Sequence, residues 1–171
     1  GDRGIYKGLV AWSPNINMYR DPRWGRGHET YGEDPYLTGE IGLAFVRGFQ
    51  RRDGRYWKGA ATIKHFAAHS GPEPHRHSFD AQVTPRDLTE TYLPAFRKIV
   101  TRGDVAGVMT AYNRINGIPA SAHDELIDNV LRERWGFSGY VVSDCGAIED
   151  IHASHRYTDS AEESVARALH A

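Results

Sequence analysis

The sequence predicts an α/β fold, a partial (β/α)8 barrel of about four βα units, and three observations predict it. Four short apolar runs recur, with apolar residues on both alternating faces, as in strands buried on both sides. Each run is followed by polar loop residues and then by a segment of helical periodicity, so the strands lie parallel with helices outside. The chain has 171 residues, whereas a complete barrel takes about 250. A doubly wound sheet is the alternative, but no glycine fingerprint of the dinucleotide-binding type follows any run.

The first run is Gly8-Leu9-Val10-Ala11-Trp12, which ends in Ser13-Pro14-Asn15. Asp34-Pro35 then offers an N-cap with proline at the first helical position. Leu37, Ile41, Ala44, Phe45 and Gly48 form the apolar stripe of the helix that follows. The second strand is Ala60-Ala61-Thr62-Ile63, ending in Lys64-His65. Between it and the next helix lies Ser70 to Ser78, the most irregular stretch, with two prolines and two histidines. Thr84-Pro85 opens a second helix, along which Leu88, Tyr92, Phe96 and Ile99 repeat. Ala106 to Tyr112 is the third strand. A third helix runs from about Asp124 to Trp135, with Gly136 as its C-terminal cap. Gly139 to Asp144 is the fourth strand, and a fourth helix begins near Ser160. No repeat with shared residue identity, low-complexity tract or linker interrupts this order.

Composition narrows the function classes. With 21 basic and 22 acidic residues the net charge is -1, which gives no attraction to nucleic acid or to an anionic membrane surface. A neutral ligand such as a sugar suits this balance better than a polyanion. The one cysteine, Cys145, excludes an internal disulfide and a cysteine-built metal cluster. No apolar stretch approaches the roughly 18 residues of a membrane span. The chain begins at Gly1 and stops at Ala171 inside a helical run, so residues 1–171 are expected to be a fragment of a longer protein.

Parallel α/β folds gather their chemistry at the carboxyl ends of their strands. Here those ends carry Trp12 to Asn15, Lys64-His65, Met109 to Asn113, and Ser143-Asp144. A carboxylate, a lysine, a histidine and aromatic side chains would share one rim. Sugars need charged partners for their hydroxyls and flat apolar faces for their C–H surfaces. Asp144 follows Tyr140-Val141-Val142, an unfavourable place for aspartate in a strand. Helix capping would explain it, and so would a nucleophile held by a buried strand. Lys64 could pair with an acid, and His65 could be a structural histidine. Alternatively both bind sugar hydroxyls while Lys64 lowers the pKa of the carboxylate beside it. In the loop Arg20 to Glu29, Arg20 and Arg23 suit shape-holding ion pairs, and Arg26, between two glycines, suits a ligand. His69, His75 and His77 lack compact metal-ligand spacing, so neither a metal nor another cofactor is expected.

At these residues the chain resembles the N-terminal barrel, of the TIM type, of glycoside hydrolase family 3. The resemblance rests on Pro14-Asn15-Ile16-Asn17, Arg20-Asp21-Pro22-Arg23-Trp24-Gly25-Arg26 and Glu29-Thr30-Tyr31-Gly32-Glu33-Asp34-Pro35. It continues through Lys64-His65-Phe66-Ala67, Arg76-His77-Ser78-Phe79-Asp80, Tyr112-Asn113-Arg114-Ile115-Asn116-Gly117, and Gly139 to Gly146. These motifs run nearly end to end and in the family's order.

The resemblance implies a retaining exo-acting hydrolase of terminal β-linked sugars, with Asp144 as nucleophile. It implies Arg26, Lys64 and His65 as sugar ligands, Met109 and Tyr112 beside the nucleophile, and Trp12 on the pocket wall. Cys145 stands where many glucosidase members have tryptophan. With the loop His69-Ser70-Gly71-Pro72-Glu73, it resembles the β-xylosidase and α-arabinofuranosidase branch. The implied partners are an oligosaccharide or aryl glycoside and a C-terminal α/β sandwich domain of the same parent chain, absent here, that carries the acid/base glutamate. The expected compartment of the parent is extracellular or periplasmic. Two other classes remain open on sequence: a catalytically silent sugar-binding barrel, and a Schiff-base lyase using Lys64.

Overall fold

The computed structural model describes residues 8–171. Four strands form one sheet in chain order: β1 (Val10–Ala11), β2 (Ala60–Phe66), β3 (Gly107–Thr110) and β4 (Tyr140–Ser143). All three pairings are parallel, with Val10 opposite Ala60, Ile63 opposite Val108, and Thr110 opposite Ser143. Sequential parallel order with helical crossovers is the wall of a (β/α)8 barrel, and four strands are half of one. The first half of the Gly8–Trp12 reading lies at the edge of the described residues, where the strand itself is two residues long.

Helix α1 (Pro35–Phe49) begins as expected, with the Asp34 carboxylate accepting from the Leu37 amide at 2.5 Å. Its buried face is not the expected one. Thr38, Gly39, Gly42, Leu43 and Val46 face inward, whereas Leu37, Ile41 and Phe45 are exposed, Leu37 to 49%. The reason is close approach. A Cβ on Gly42 would sit 2.7 Å from the Ile99 side chain and 2.9 Å from that of Ile16. The small residues let α1 lie tight against α2 (Pro94–Gly103), and an apolar count overlooks that gain.

The second predicted helix is real but broken. Thr84 caps a turn at Pro85–Asp87, a π-wound turn covers Leu88–Tyr92, and α2 starts afresh at Pro94. The third predicted helix is the π-helix Glu125–Arg134, after which Gly136 takes a positive φ of 68°. Two further helices follow β4: α3 (Ala147–Ala153), which sequence reading missed, and α4 (Ala161–His170), which begins where expected and is capped by Ser160.

The core lies between sheet and helices. Ile63, Phe66 and Val108 from the strands meet Leu43, Val46, Phe96, Ile99 and Leu131 from the helices. Burying each such side chain stabilises the fold by about 1.5–3 kcal/mol. At the amino end of the sheet Gln50 bridges two strands. Its Oε1 accepts from the Ala61 and Ala106 amides at 3.0 and 2.9 Å, and its Nε2 donates to the Asp104 carbonyl at 2.8 Å. No helix among the described residues is long and apolar enough to cross a membrane.

Candidate active site

The carboxyl ends of β2, β3 and β4 place their polar residues together. Asp144 follows β4, and its amide still reaches back to the Thr110 carbonyl at 3.3 Å. Its side chain is buried among other polar groups. Oδ1 accepts from the Cys145 amide at 2.8 Å. Oδ2 lies 3.2 Å from His65 Nε2 and 3.7 Å from the Arg26 guanidinium, yet makes no well-aligned hydrogen bond among the described residues. One oxygen is therefore held and the other is left available. Burial works to raise the carboxyl pKa. The contacts with His65, the Cys145 amide and Arg26 outweigh it and hold the group at about 2.

His65 owes its orientation to a break in the ladder. The pairing between β2 and β3 shifts between Lys64 and Phe66, leaving His65 as the extra residue. Asn17 supplies the lost partners. Its Oδ1 accepts from the His65 amide at 2.8 Å and its Nδ2 donates to the His65 carbonyl at 2.8 Å. Those two bonds fix which way the Asn17 amide points. The same Oδ1 is 2.9 Å from His65 Nδ1. Both ring nitrogens therefore face acceptors, Asn17 Oδ1 and Asp144 Oδ2.

Burial lowers the His65 pKa to about 4, so at neutral pH the ring carries one N–H. Asn17 Oδ1 and Asp144 Oδ2 are the two acceptors that this N–H can serve. Arg26 is the permanent cation beside the carboxylate.

Arg26 is also held from behind. Glu29 accepts from its Nε and NH2 at 2.7 and 2.8 Å, and this pairing is the largest reason that the Glu29 carboxyl is lowered to about 2. The flanking glycines serve packing. A Cβ on Gly25 would approach the Glu73 carboxyl to 2.7 Å, and one on Gly27 would run into the Tyr19 ring. Arg23 pairs with Asp21 at 2.8 Å as expected, whereas Arg20 lies over the Tyr92 ring.

Lys64 is half-buried, and its pKa is lowered by burial first and by Arg26 second. It makes no ion pair with Asp144 among the described residues. The cation nearest the carboxylate is therefore Arg26, where sequence reading expected Lys64. The Tyr112 phenol shares this environment. Burial, and then the Asp144 charge, push its pKa up to about 12, so it stays protonated.

The other expected residues spread out. Met109 is enclosed in β3 opposite Lys64 and Val142, with no exposed surface. Cys145 is an exposed free thiol. Trp12 is 46% exposed at the end of the edge strand. The loop after β2 is more ordered than its sequence implied. His69 is buried, its ring set edge-to-face with that of His65 at 4.9 Å between centroids, and its Nδ1 meets Asn113 Oδ1 at 3.2 Å. Glu73 Oε2 accepts from the Gly25 amide at 3.0 Å, which ties this loop to the Arg26 loop.

Sequence reading missed Asn17, Glu29 and His69 as site residues. The alternation Asn15-Ile16-Asn17 just beyond a strand end was the available signal. Among the described residues no group of three or more metal-ligating side chains is arranged to hold an ion. Two cavities, of about 750 and 310 Å³, lie elsewhere, one between α2 and the π-helix and one beside β4 and α4.

The model of the "Glycosyl hydrolase family 3 N terminal domain" matches residues 7–171. The chain is 46% identical over 165 residues to a xylan 1,4-beta-xylosidase of Xylanibacter ruminicola, covering 95% of this chain and 19% of that protein. It is 44% identical over 184 residues to a probable beta-D-xylosidase 7 of Arabidopsis thaliana, covering 99% and 24%. Its structure is similar to that of a GH3 exo-beta-xylosidase in complex with a xylobiose aziridine activity based probe. That match has a TM-score of 0.90 and 36% identity, and covers 95% of this chain and 22% of the other. A beta-glucosidase from Listeria innocua matches with a TM-score of 0.86 and 34% identity, covering 94% and 22%. The chain thus spans about a fifth to a quarter of the length of these relatives.

Proposed function

The chain belongs to glycosyl hydrolase family 3, and from that premise we propose that its parent protein hydrolyses terminal β-linked sugars with retention, Asp144 acting as nucleophile. The observation that carries this reading is the state of Asp144: ionised, gripped at Oδ1, and free at Oδ2 beside His65 and Arg26. In the first step Oδ2 attacks the anomeric carbon. The glycosidic C–O bond breaks, and the departing oxygen takes a proton from a second carboxylic acid. In the second step water attacks the same carbon, the acid's conjugate base removes a proton from that water, and Asp144 leaves as carboxylate.

This chain's residues supply the sugar side of that reaction. Arg26, Lys64 and His65 bind hydroxyls. Tyr112 donates near the nucleophile. The acid/base partner is expected from a C-terminal sandwich domain of the parent, with its carboxyl about 5–5.5 Å from Asp144. Residues 1–171 alone should therefore turn over natural substrate poorly.

A pentoside is the substrate proposed. Two relatives bear xylosidase names, and Cys145, where bulkier side chains stand in glucosidases, leaves a smaller wall. A panel of nitrophenyl glycosides on the full-length parent tests the reading. We expect the β-xyloside to be cleaved fastest. A parent that cleaves no β-glycoside or α-arabinofuranoside contradicts it.

A further inference from the structure

Only two carboxylates are buried among the described residues, Asp144 and Asp150, and the mechanism above leaves Asp150 without a task. A buried carboxylate is costly unless paired, and this one is fully engaged. Its Oδ2 accepts from His77 Nδ1 at 2.7 Å and its Oδ1 from the Ser154 hydroxyl at 2.7 Å. The His77 ring lies edge-on against the Tyr112 ring, with centroids 4.6 Å apart at 62°.

Asp150 belongs to α3, the helix that leaves directly from the nucleophile; the Ala147 amide donates to the Asp144 carbonyl at 3.0 Å. The turn that ends α3 returns to the same tyrosine, for His155 Nε2 donates to the Tyr112 carbonyl at 2.7 Å. Tyr112 thus meets groups fixed to α3 at its ring and at its backbone, while the His69 ring lies 5.9 Å from its own.

We propose that Asp150 and His77 are positioning residues for Tyr112, holding its phenol against the Asp144 carboxylate. The inference rests on the reading of Asp144 as nucleophile. Asp150 takes the Nδ1 hydrogen and so sets the tautomer and plane of the His77 ring. The two rings then meet in a T-shaped contact, a favoured geometry for aromatic pairs. Asp150 and His77 reach the reacting atoms only through Tyr112.

The test uses the full-length parent. His77→Ala is expected to lower kcat on an aryl β-xyloside about tenfold, with KM changed less than about twofold. In a Tyr112→Phe background the same change should cost less than about twofold, because both act through one hydroxyl. Asp150→Asn, which keeps an acceptor for His77, should retain most of the rate. Equal losses from His77→Ala with and without the Tyr112 hydroxyl would overturn the proposal. A crystal structure of the His77→Ala parent gives a readout independent of turnover. A Tyr112 ring that stays in place overturns the proposal whatever the rates. A ring that moves in a parent cleaving no glycoside supports the positioning role and defeats only the glycosidase reading.

Discussion

The two ends of the sheet are finished differently. At the amino end Gln50 is buried with both its amide oxygen and its amide nitrogen engaged, satisfying two backbone amides and one carbonyl. At the carboxyl end Asn15 Nδ2, His65 Nε2, His69 Nε2 and Asp144 Oδ2 are buried without hydrogen-bond partners among the described residues. Unpaired buried polar atoms cost stability. One sheet therefore holds a closed end that stabilises and an open end whose buried polar atoms lack partners among the described residues. Residues at one end should govern folding with little effect on rate, and residues at the other the reverse.

The largest expected break in that contrast is Asp144→Asn. In the full-length parent it should lower kcat on an aryl glycoside at least about 10⁴-fold, far more than any loss of folded protein that calorimetry shows at the assay temperature. A variant that loses activity only in proportion to unfolding would erase the distinction between the ends.

His65→Ala comes next. It should cost about 10²–10³-fold in kcat/KM, the scale of one lost electrostatic contact in a preorganised site, measured by initial rates.

Gln50→Ala tests the other end. Orphaning the Ala61 and Ala106 amides should destabilise the fold by about 2–4 kcal/mol, read from urea unfolding. Its kcat below the unfolding temperature should stay within about twofold.

The smallest effect is an acid one. The Asp144 carboxyl is lowered from its ordinary 3.8 to about 2, so its contribution to stability is present above pH 4 and lost as pH falls through 2. Replacement by asparagine should make stability less steep in pH across that window, and an unchanged slope would contradict the pairing described.

Much of this contrast was legible in the sequence. The four strands, their parallel order, the Asp34 and Thr84 caps and the start of α4 near Ser160 follow from periodicity and side-chain chemistry, since each depends on neighbours in the chain. The inward face of α1 did not follow, because Gly39 and Gly42 act through the space they leave for Ile16 and Ile99. At the site, Asp144, Lys64 and His65 stood out at strand ends. Asn17 escaped because its task, replacing the ladder partners of His65, exists only once β2 and β3 slip in register. Helix α3 escaped because it is seven residues long, too short for a stripe. With it went the Asp150–His77 pair, which joins residues 73 positions apart.

Trapping the covalent intermediate tests the central claim most directly. The full-length parent is incubated with an activated fluoro-xyloside, digested, and mapped by mass spectrometry. The account predicts one sugar adduct, on the peptide containing Asp144, absent from Asp144→Asn. An adduct on another carboxylate, or its persistence in the asparagine variant, would contradict it.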